Sequence, residues 1–311
     1  MVITHVITDD FRMFKGGFKT KFCPGVNVLI GDNGTGKTTL LKGMYTNVNV
    51  GLNDSGGTVV SENVFKLSPS AAYIAREHRK LSAESQDIQG IYIPEKDILE
   101  HAKGLLTFIS QKQTGFSEIY EAVLIAAQDI PTKIQSEMQK SIGDKIANII
   151  GGTIEWDKGD GSFYTLKTDG NRIPFADEAS GYKKLGFLGL LVSSGQLNPD
   201  SILFWDEPEN SLNPSLMPTL IDILLELAQS GIQIFIATHD YNLARYFDVR
   251  KDKDIPVLFH NLTKTKDGGI ACHSSPEYIK LPDNHLEKAG EDLYEAVIAD
   301  AMGVQMDGKN S

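Results

Sequence analysis

The chain has 311 residues, enough for one large domain or two small ones, and its 41% hydrophobic and 23% charged content is that of an ordinary globular protein. A formal charge of −11, from 41 acids against 30 bases, excludes indiscriminate nucleic-acid binding over the whole surface and leaves only a local basic groove open. The longest apolar stretches, such as "LGFLGLLV" at 185–192, fall well short of the roughly 20 residues of a membrane helix, which argues against a membrane protein.

In chain order, the start "MVITHVITDD" has no basic segment followed by an apolar one, so a cytoplasmic location is predicted. Cys23 and Cys272 match no metal or redox spacing, which suits a reducing compartment. Val26 to Ile30 read as an apolar strand running into Gly31-Asp32-Asn33-Gly34-Thr35-Gly36-Lys37-Thr38 and then a helix. This is G-x-x-x-x-G-K-T in a strand–loop–helix setting: backbone N–H groups at Asn33 to Thr39 and the helix N-terminus face phosphate oxygens. Lys37 is expected to reach the β- and γ-phosphates and the Thr38 hydroxyl to bind Mg²⁺. A chance glycine-rich turn before Lys-Thr is the competing reading, and both flanks speak against it.

Residues 51–90 are polar and punctuated by Gly and Ser, and predict irregular structure with edge strands. "AREHRK" carries Arg76, Arg79 and Lys80, read as a solvated helix face before a nucleic-acid contact. "DILEHAKGLLTFIS", "FSEIYEAVLIAAQDI" and "PTKIQSEMQKSIGDKIANII" predict helices, and "GTIEWDKGDGSFYTLKTDG" predicts a β-hairpin turning at Lys158 to Gly161. Ile202 to Trp205 read as a buried, parallel strand ending in Asp206 and Glu207. The first acid suits the Mg²⁺ shell, and the second suits the polarisation of an attacking water, which favours hydrolysis over transfer to a substrate. Ile232 to Ala237 form another apolar strand closed by Thr238 and His239. His5, His78, His101, His260, His273 and His285 show no ligand spacing and read as structural or surface residues. A helix, two strands and the helix around "LEKAGEDLYEAVIADAM" are expected to cap the sheet, while Arg250-Lys251-Asp252-Lys253 is an unspecific basic run.

The nine residues "DEPENSLNP" resemble the "DEPTSALDP" pattern of ABC ATPases, departing at Glu209, Asn210, Ser211 and Asn213. His239 stands where that family has its switch histidine, which implies a hydrogen bond to the γ-phosphate. The family's signature serine opens a helix that runs back to the acidic strand, and two segments compete for that role. "VSSGQ" at 192–196 leaves 12 residues between Ser194 and Asp206, interrupted by Leu197-Asn198-Pro199-Asp200, too few for a helix and a strand. "EASGYKK" leaves 26 between Ser180 and Asp206 and is followed by helically spaced apolar residues. Ser180 and Gly181 are therefore the expected signature, and Gly195 the stop of its helix.

The order of these motifs resembles an ABC-type ATPase head. The opening "FRMFKGGFKTKFCPGVNVLIGDNGTGKTTLLK" is similar to the RecF/SMC-related branch, and "YIPEKDILEHAKGLL" to a segment of small bacterial AAA-type (AAA/OLD/PtuA-like) ATPases of phage-defence modules. The likeness implies an α/β P-loop NTPase of ABC type, with a mixed central sheet, an inserted helical lobe and an antiparallel β element. It implies a single ATPase domain over 1–311, with 1–96 and 151–311 as the nucleotide-binding lobe and 97–150 as the insert. No heptad repeat between Thr38 and Ser180 supports a coiled-coil arm. By the same likeness Arg12 lies near the nucleotide, and Glu95 stands near the place of the family's glutamine loop, with a contact to the Mg²⁺ shell or a plain surface position both open. ATP and Mg²⁺ are the implied cofactors, and a homodimer with ATP at its interface the implied assembly, with Ser180 and Gly181 acting in trans. The leading expectation is an ATPase whose dimerisation regulates a separate effector such as a nuclease. A RecF-like DNA-binding repair ATPase and a transporter ATPase subunit are the alternatives.

Overall fold

The computed structural model describes residues 2–8, 11–15, 17–49, 64–67, 89–105, 118–128, 136–199 and 201–302. The cluster Arg76, Arg79 and Lys80, together with His78, lies outside the described residues.

The central sheet has six strands in the order β12 (Ile270–Ser275), β11 (Val257–Lys264), β3 (Val26–Ile30), β10 (Gln233–Ala237), β9 (Ser201–Asp206) and β5 (Gln89–Ile93). Pairings from β11 through β5 are all parallel, and only β12 runs antiparallel, on the edge. Parallel strands with both faces covered should read as continuous apolar runs. All residues of β3, β9 and β10 are indeed buried. The mixed α/β sheet of the sequence-based expectation is therefore present. Its β3, β9 and β10 all point their carboxyl ends the same way, which is where open α/β sheets bind ligands.

β1 (His5–Thr8) lies between β2 (Lys19–Lys21) and β4 (Val64–Leu67) in a small second sheet. Between β1 and β2 the chain turns at Phe11 to Phe14, an antiparallel bridge. Helix α1 (Lys37–Asn49) follows the phosphate loop and buries Leu40, Leu41 and Met44.

Helices α2 (Glu118–Ala127) and α3 (Glu137–Ile150) occupy the region where an inserted lobe is expected. The apolar positions Ile142, Ile146 and Ile150 recur at four-residue steps and form the buried stripe of α3. Ser136 and Gln139 close a reciprocal capping box at its start, and Gly151 ends it at φ 67°. The antiparallel strands β6 (Gly152–Asp157), β7 (Ser162–Lys167) and β8 (Arg172–Pro174) follow, adding a third strand to the expected hairpin. Helix α4 (Ser180–Ser193) packs on both parts. A Cβ on its Gly186 would lie 2.9 Å from Ile154, and one on Gly189 would lie 2.9 Å from Ile146. Helix α4 thus packs together with α3 and the β meander.

Helix α4 ends where "VSSGQ" begins to turn. Ser194 is its C-cap, Gly195 sits at φ 78°, and Leu197 N–H closes back on the Leu191 carbonyl at 3.1 Å. After β9 come α5 (Met217–Gln229) and α6 (Tyr241–Arg250). Arg250 pairs with Asp222 of α5 at 2.6–2.7 Å and ties α6 to it, while Lys251 pairs with Asp248 of α6 itself at 2.7 Å. Helix α7 (His285–Ala301) fully buries none of its residues, while its first turns pack on the protein, Leu286 against the core and Gly290 against the Tyr241 ring of α6. Leu293, Tyr294, Val297 and Ile298 stand exposed on it. Among the described residues no helix is long and apolar enough to cross a membrane.

Candidate functional site

The phosphate loop takes its shape from its glycines. Gly31 sits at φ 136°, and a Cβ there would lie 2.3 Å from the Leu262 carbonyl oxygen of β11. Gly36 sits at φ 89° with Met13 and Phe14 of the 11–14 turn directly against it. Only glycine fits such positions. The same contact brings the Arg12 turn beside the loop, with Arg12 itself exposed at φ 54° and its guanidinium 5.7 Å from the Phe11 ring.

The Lys37 ammonium is turned into the loop, donating to the Gly31 carbonyl at 2.7 Å and the Asp32 carbonyl at 3.1 Å. Burial lowers its pKa, opposed by the charges of Glu207, Asp32 and Asp206. Lys37 is therefore a largely desolvated cation facing carboxylates, poised for an anion of higher charge. Its neighbour Thr38 donates to Asp206 Oδ1 at 3.0 Å. The second oxygen of Asp206 accepts from the Tyr92 hydroxyl of β5, also at 3.0 Å. Burial raises the Asp206 pKa, while Thr38 and Tyr92 pull it down.

The Thr38 hydroxyl and Asp206 carboxylate are hard oxygen donors that fit Mg²⁺, which keeps waters and takes few protein ligands beside substrate phosphates. Among the described residues no three His, Cys, Asp or Glu side chains converge into a cage of their own. Glu95 is not seen to join this pair. Asn210 Nδ2 donates to its Oε1 at 3.4 Å, on the exposed side of the acidic loop.

Glu207 follows Asp206 at φ 49°, an unusual conformation for a non-glycine residue, and one that costs of order 1–3 kcal/mol. Its N–H donates to the Ala237 carbonyl at 2.8 Å, and its carbonyl accepts from Lys184 Nζ at 2.6 Å. The carboxylate Oε1 lies 2.9 Å from His239 Nδ1 at the end of β10. Thr238 donates to Glu209 Oε1 at 2.6 Å and accepts from the Asp240 N–H at 2.9 Å, which fixes the strand end carrying His239. Burial raises the Glu209 pKa.

Residues 31–38, 206, 207 and 239 thus meet at the carboxyl ends of three adjacent strands. Ser180 and Gly181 do not face this group. Ser180, exposed at the start of α4, lines a cleft of about 700 Å³ with Glu95, Lys183, Lys184, Asn210 and Ser211, and no phosphate-loop residue borders it. Gly181 packs on the acidic loop, where a Cβ would lie 3.2 Å from the Ser211 carbonyl oxygen.

Four contributors are given no part in the site by motif reading: Tyr92, Lys184, Glu209 and His285. His285 Nδ1 lies 2.8 Å from Asp32 Oδ2 and joins α7 to the phosphate loop. Each of these contacts pairs residues 23 to 253 positions apart, beyond the reach of local pattern.

Residues 62–245, more than half of the chain, match the family described as "AAA domain, putative AbiEii toxin, Type IV TA system". The chain belongs to this family. The matched span holds the α4 start, Asp206, Glu207 and His239. As a member of this family the chain is an AAA domain with the P-loop α/β fold described above.

Its fold is similar to that of an SmcHead solved in complex with the C-winged helix domain of ScpA, with a TM-score of 0.51 at 11% identity. That likeness covers 91% of this chain and 98% of the other. Among curated proteins, the L-cystine import ATP-binding protein TcyN of Bacillus subtilis is 28% identical over 102 residues, 30% of this chain and 39% of TcyN. A putative ABC transporter ATP-binding protein of Caldanaerobacter subterraneus subsp. tengcongensis is 40% identical over 107 residues, covering 34% and 38% of the two chains. The chain spans under two fifths of the length of either curated relative.

Proposed function

We propose that this AAA-domain chain binds Mg·ATP and hydrolyses it between two copies of itself. The observation that carries the reading is the Glu207–His239 contact at 2.9 Å, held at the strand ends beside Lys37 and the Thr38–Asp206 pair. Asn33 to Thr39 cradle the phosphates, with Arg12 on the neighbouring turn, while Thr38 and Asp206 hold Mg²⁺, which when bound neutralises charge on the phosphate oxygens. Glu207 orients the attacking water, and His239 senses the γ-phosphate while holding the Glu207 carboxylate. Glu95 is assigned to the cleft side of the acidic loop, with no metal role.

The position of Ser180 on a cleft apart from its own phosphate loop supports action in trans, on nucleotide bound to a second copy. Hydrolysis then requires the dimer. Dimerisation gated by ATP suits a regulatory ATPase that controls a separate effector, such as a nuclease of a phage-defence module. The curated relatives favour one further reading, an ATPase subunit of a transport system.

Capture of Glu207→Gln from the native host with Mg·ATP, with and without added nuclease, tests the role against a Lys37→Ala control. A stoichiometric soluble protein, retained after nuclease and lost with Lys37→Ala, is the expected result. Co-purification of a membrane protein would replace the effector reading with the transporter one, and recovery of nucleic acid alone would replace it with a DNA-clamping repair role.

A further inference from the structure

The backbone of Glu207 is held by two elements. Its N–H is fixed to β10 through the Ala237 carbonyl, and its own carbonyl is fixed to α4 through the Lys184 ammonium at 2.6 Å. Lys184 is buried, with only 8% of its surface exposed, so its charge is kept for a partner inside the fold. The acids Glu209, Glu207, Glu95 and Asp97 surround it and oppose the effect of burial on its pKa. The Glu207 carbonyl, at a left-handed φ of 49°, also accepts the Asn210 N–H at 3.1 Å within the acidic loop, and Lys184 is the partner that ties it to another element.

Lys184 stands four residues after Ser180, on the same helix face. Its neighbour Lys183, equally buried, is ion-paired with Glu100 in the segment that opens the inserted region. One turn of α4 therefore holds three connections: Ser180 toward the cleft, Lys183 toward the insert, and Lys184 toward the backbone of the acid that orients water.

We infer that Lys184 is a positioning residue that sets the Glu207 carboxylate from the signature helix, so that a shift of α4 on engagement of Ser180 reaches the acid of the same chain. The inference rests on the proposed role of Glu207. In this role Lys184 acts through the Glu207 carbonyl, as a positioning residue and not a catalytic one.

The test compares Lys184→Met, Lys184→Gln and Lys184→Arg in the full-length chain by two readouts. The first is amide hydrogen exchange over 206–212 without nucleotide, which needs no hydrolysis. The second is kcat and KM for Mg·ATP. Exchange in 206–212 is expected to rise at least fivefold in the Met and Gln variants, and to return to within twofold of wild type with Arg. kcat is expected to fall at least tenfold with KM within threefold, and to recover with Arg. Unchanged exchange, or altered exchange with kcat intact, would overturn the inference. If Lys184→Met fails to fold, Lys184→Gln decides. A wild-type protein that hydrolyses no ATP would defeat the proposed function, and the exchange arm would still decide whether Lys184 holds Glu207.

Discussion

Asp206 is a buried acid whose charge depends on two hydroxyl donors, Thr38 and Tyr92. Removing one donor leaves the carboxylate partly unsatisfied in a low-dielectric site. Tyr92→Phe is accordingly expected to cost about 1.5–3 kcal/mol of stability in urea unfolding, the range for hydrogen bonds to charged groups. It should also weaken Mg·ATP binding, and an unchanged urea midpoint together with unchanged affinity would deny Tyr92 this part. A second residue makes a claim on pH. His260 is fully buried between Asn27 and Ser274, and burial pushes its pKa down from 6.5 to about 3. The unfolded chain binds the proton that the folded chain refuses. Stability from His260 is therefore complete above pH 6.5 and is lost as pH falls toward 3, with a limiting slope of about 1.4 kcal/mol per pH unit. His260→Gln should flatten that slope in acid titrations of the unfolding free energy, and an unaltered slope would assign it to other groups.

At the scale of elements, much of the nucleotide-side architecture is legible because its signals are local. The phosphate loop, the apolar runs of β3, β9 and β10, and the choice of Ser180 over "VSSGQ" follow from residue order and from the chain length needed between elements. Glu95 illustrates the limit: its place near the family's glutamine loop left a contact to the Mg²⁺ shell and a surface position both open, while the residue that bonds Asp206 is Tyr92, three positions earlier on the buried strand. Nothing local in "EASGYKK" marks Lys183 and Lys184 as buried, yet both are, because their partners Glu100 and Glu207 come from other parts of the chain. Helix α7 is the reverse case: Leu286 and Gly290 rest on the protein, while Leu293, Tyr294, Val297 and Ile298 stand exposed. Two substitutions separate the cases. Ile146→Ala, under α4 at Gly189, should cost about 2–5 kcal/mol, whereas Val297→Asn on α7 should change stability by no more than about 0.5 kcal/mol. Equal costs in chemical denaturation would mean that this stretch of α7 is packed in solution.

At the scale of the whole molecule, the two groups of residues that the proposed function assigns to one ATPase site lie apart on the chain. Lys37, Thr38, Asp206, Glu207 and His239 converge at the sheet's carboxyl edge, while Ser180 opens on a separate cleft. Under the proposed function a second copy brings them together, and hydrolysis is then a property of the pair. The most direct measurement is phosphate release per chain at saturating Mg·ATP across a hundredfold range of protein concentration, for the wild-type chain and for Glu207→Gln. Activity per chain that rises with concentration to a plateau, and that falls at least a hundredfold in Glu207→Gln, is the result expected of a shared site with Glu207 orienting the water. Activity per chain independent of concentration, or undiminished in Glu207→Gln, would contradict the account.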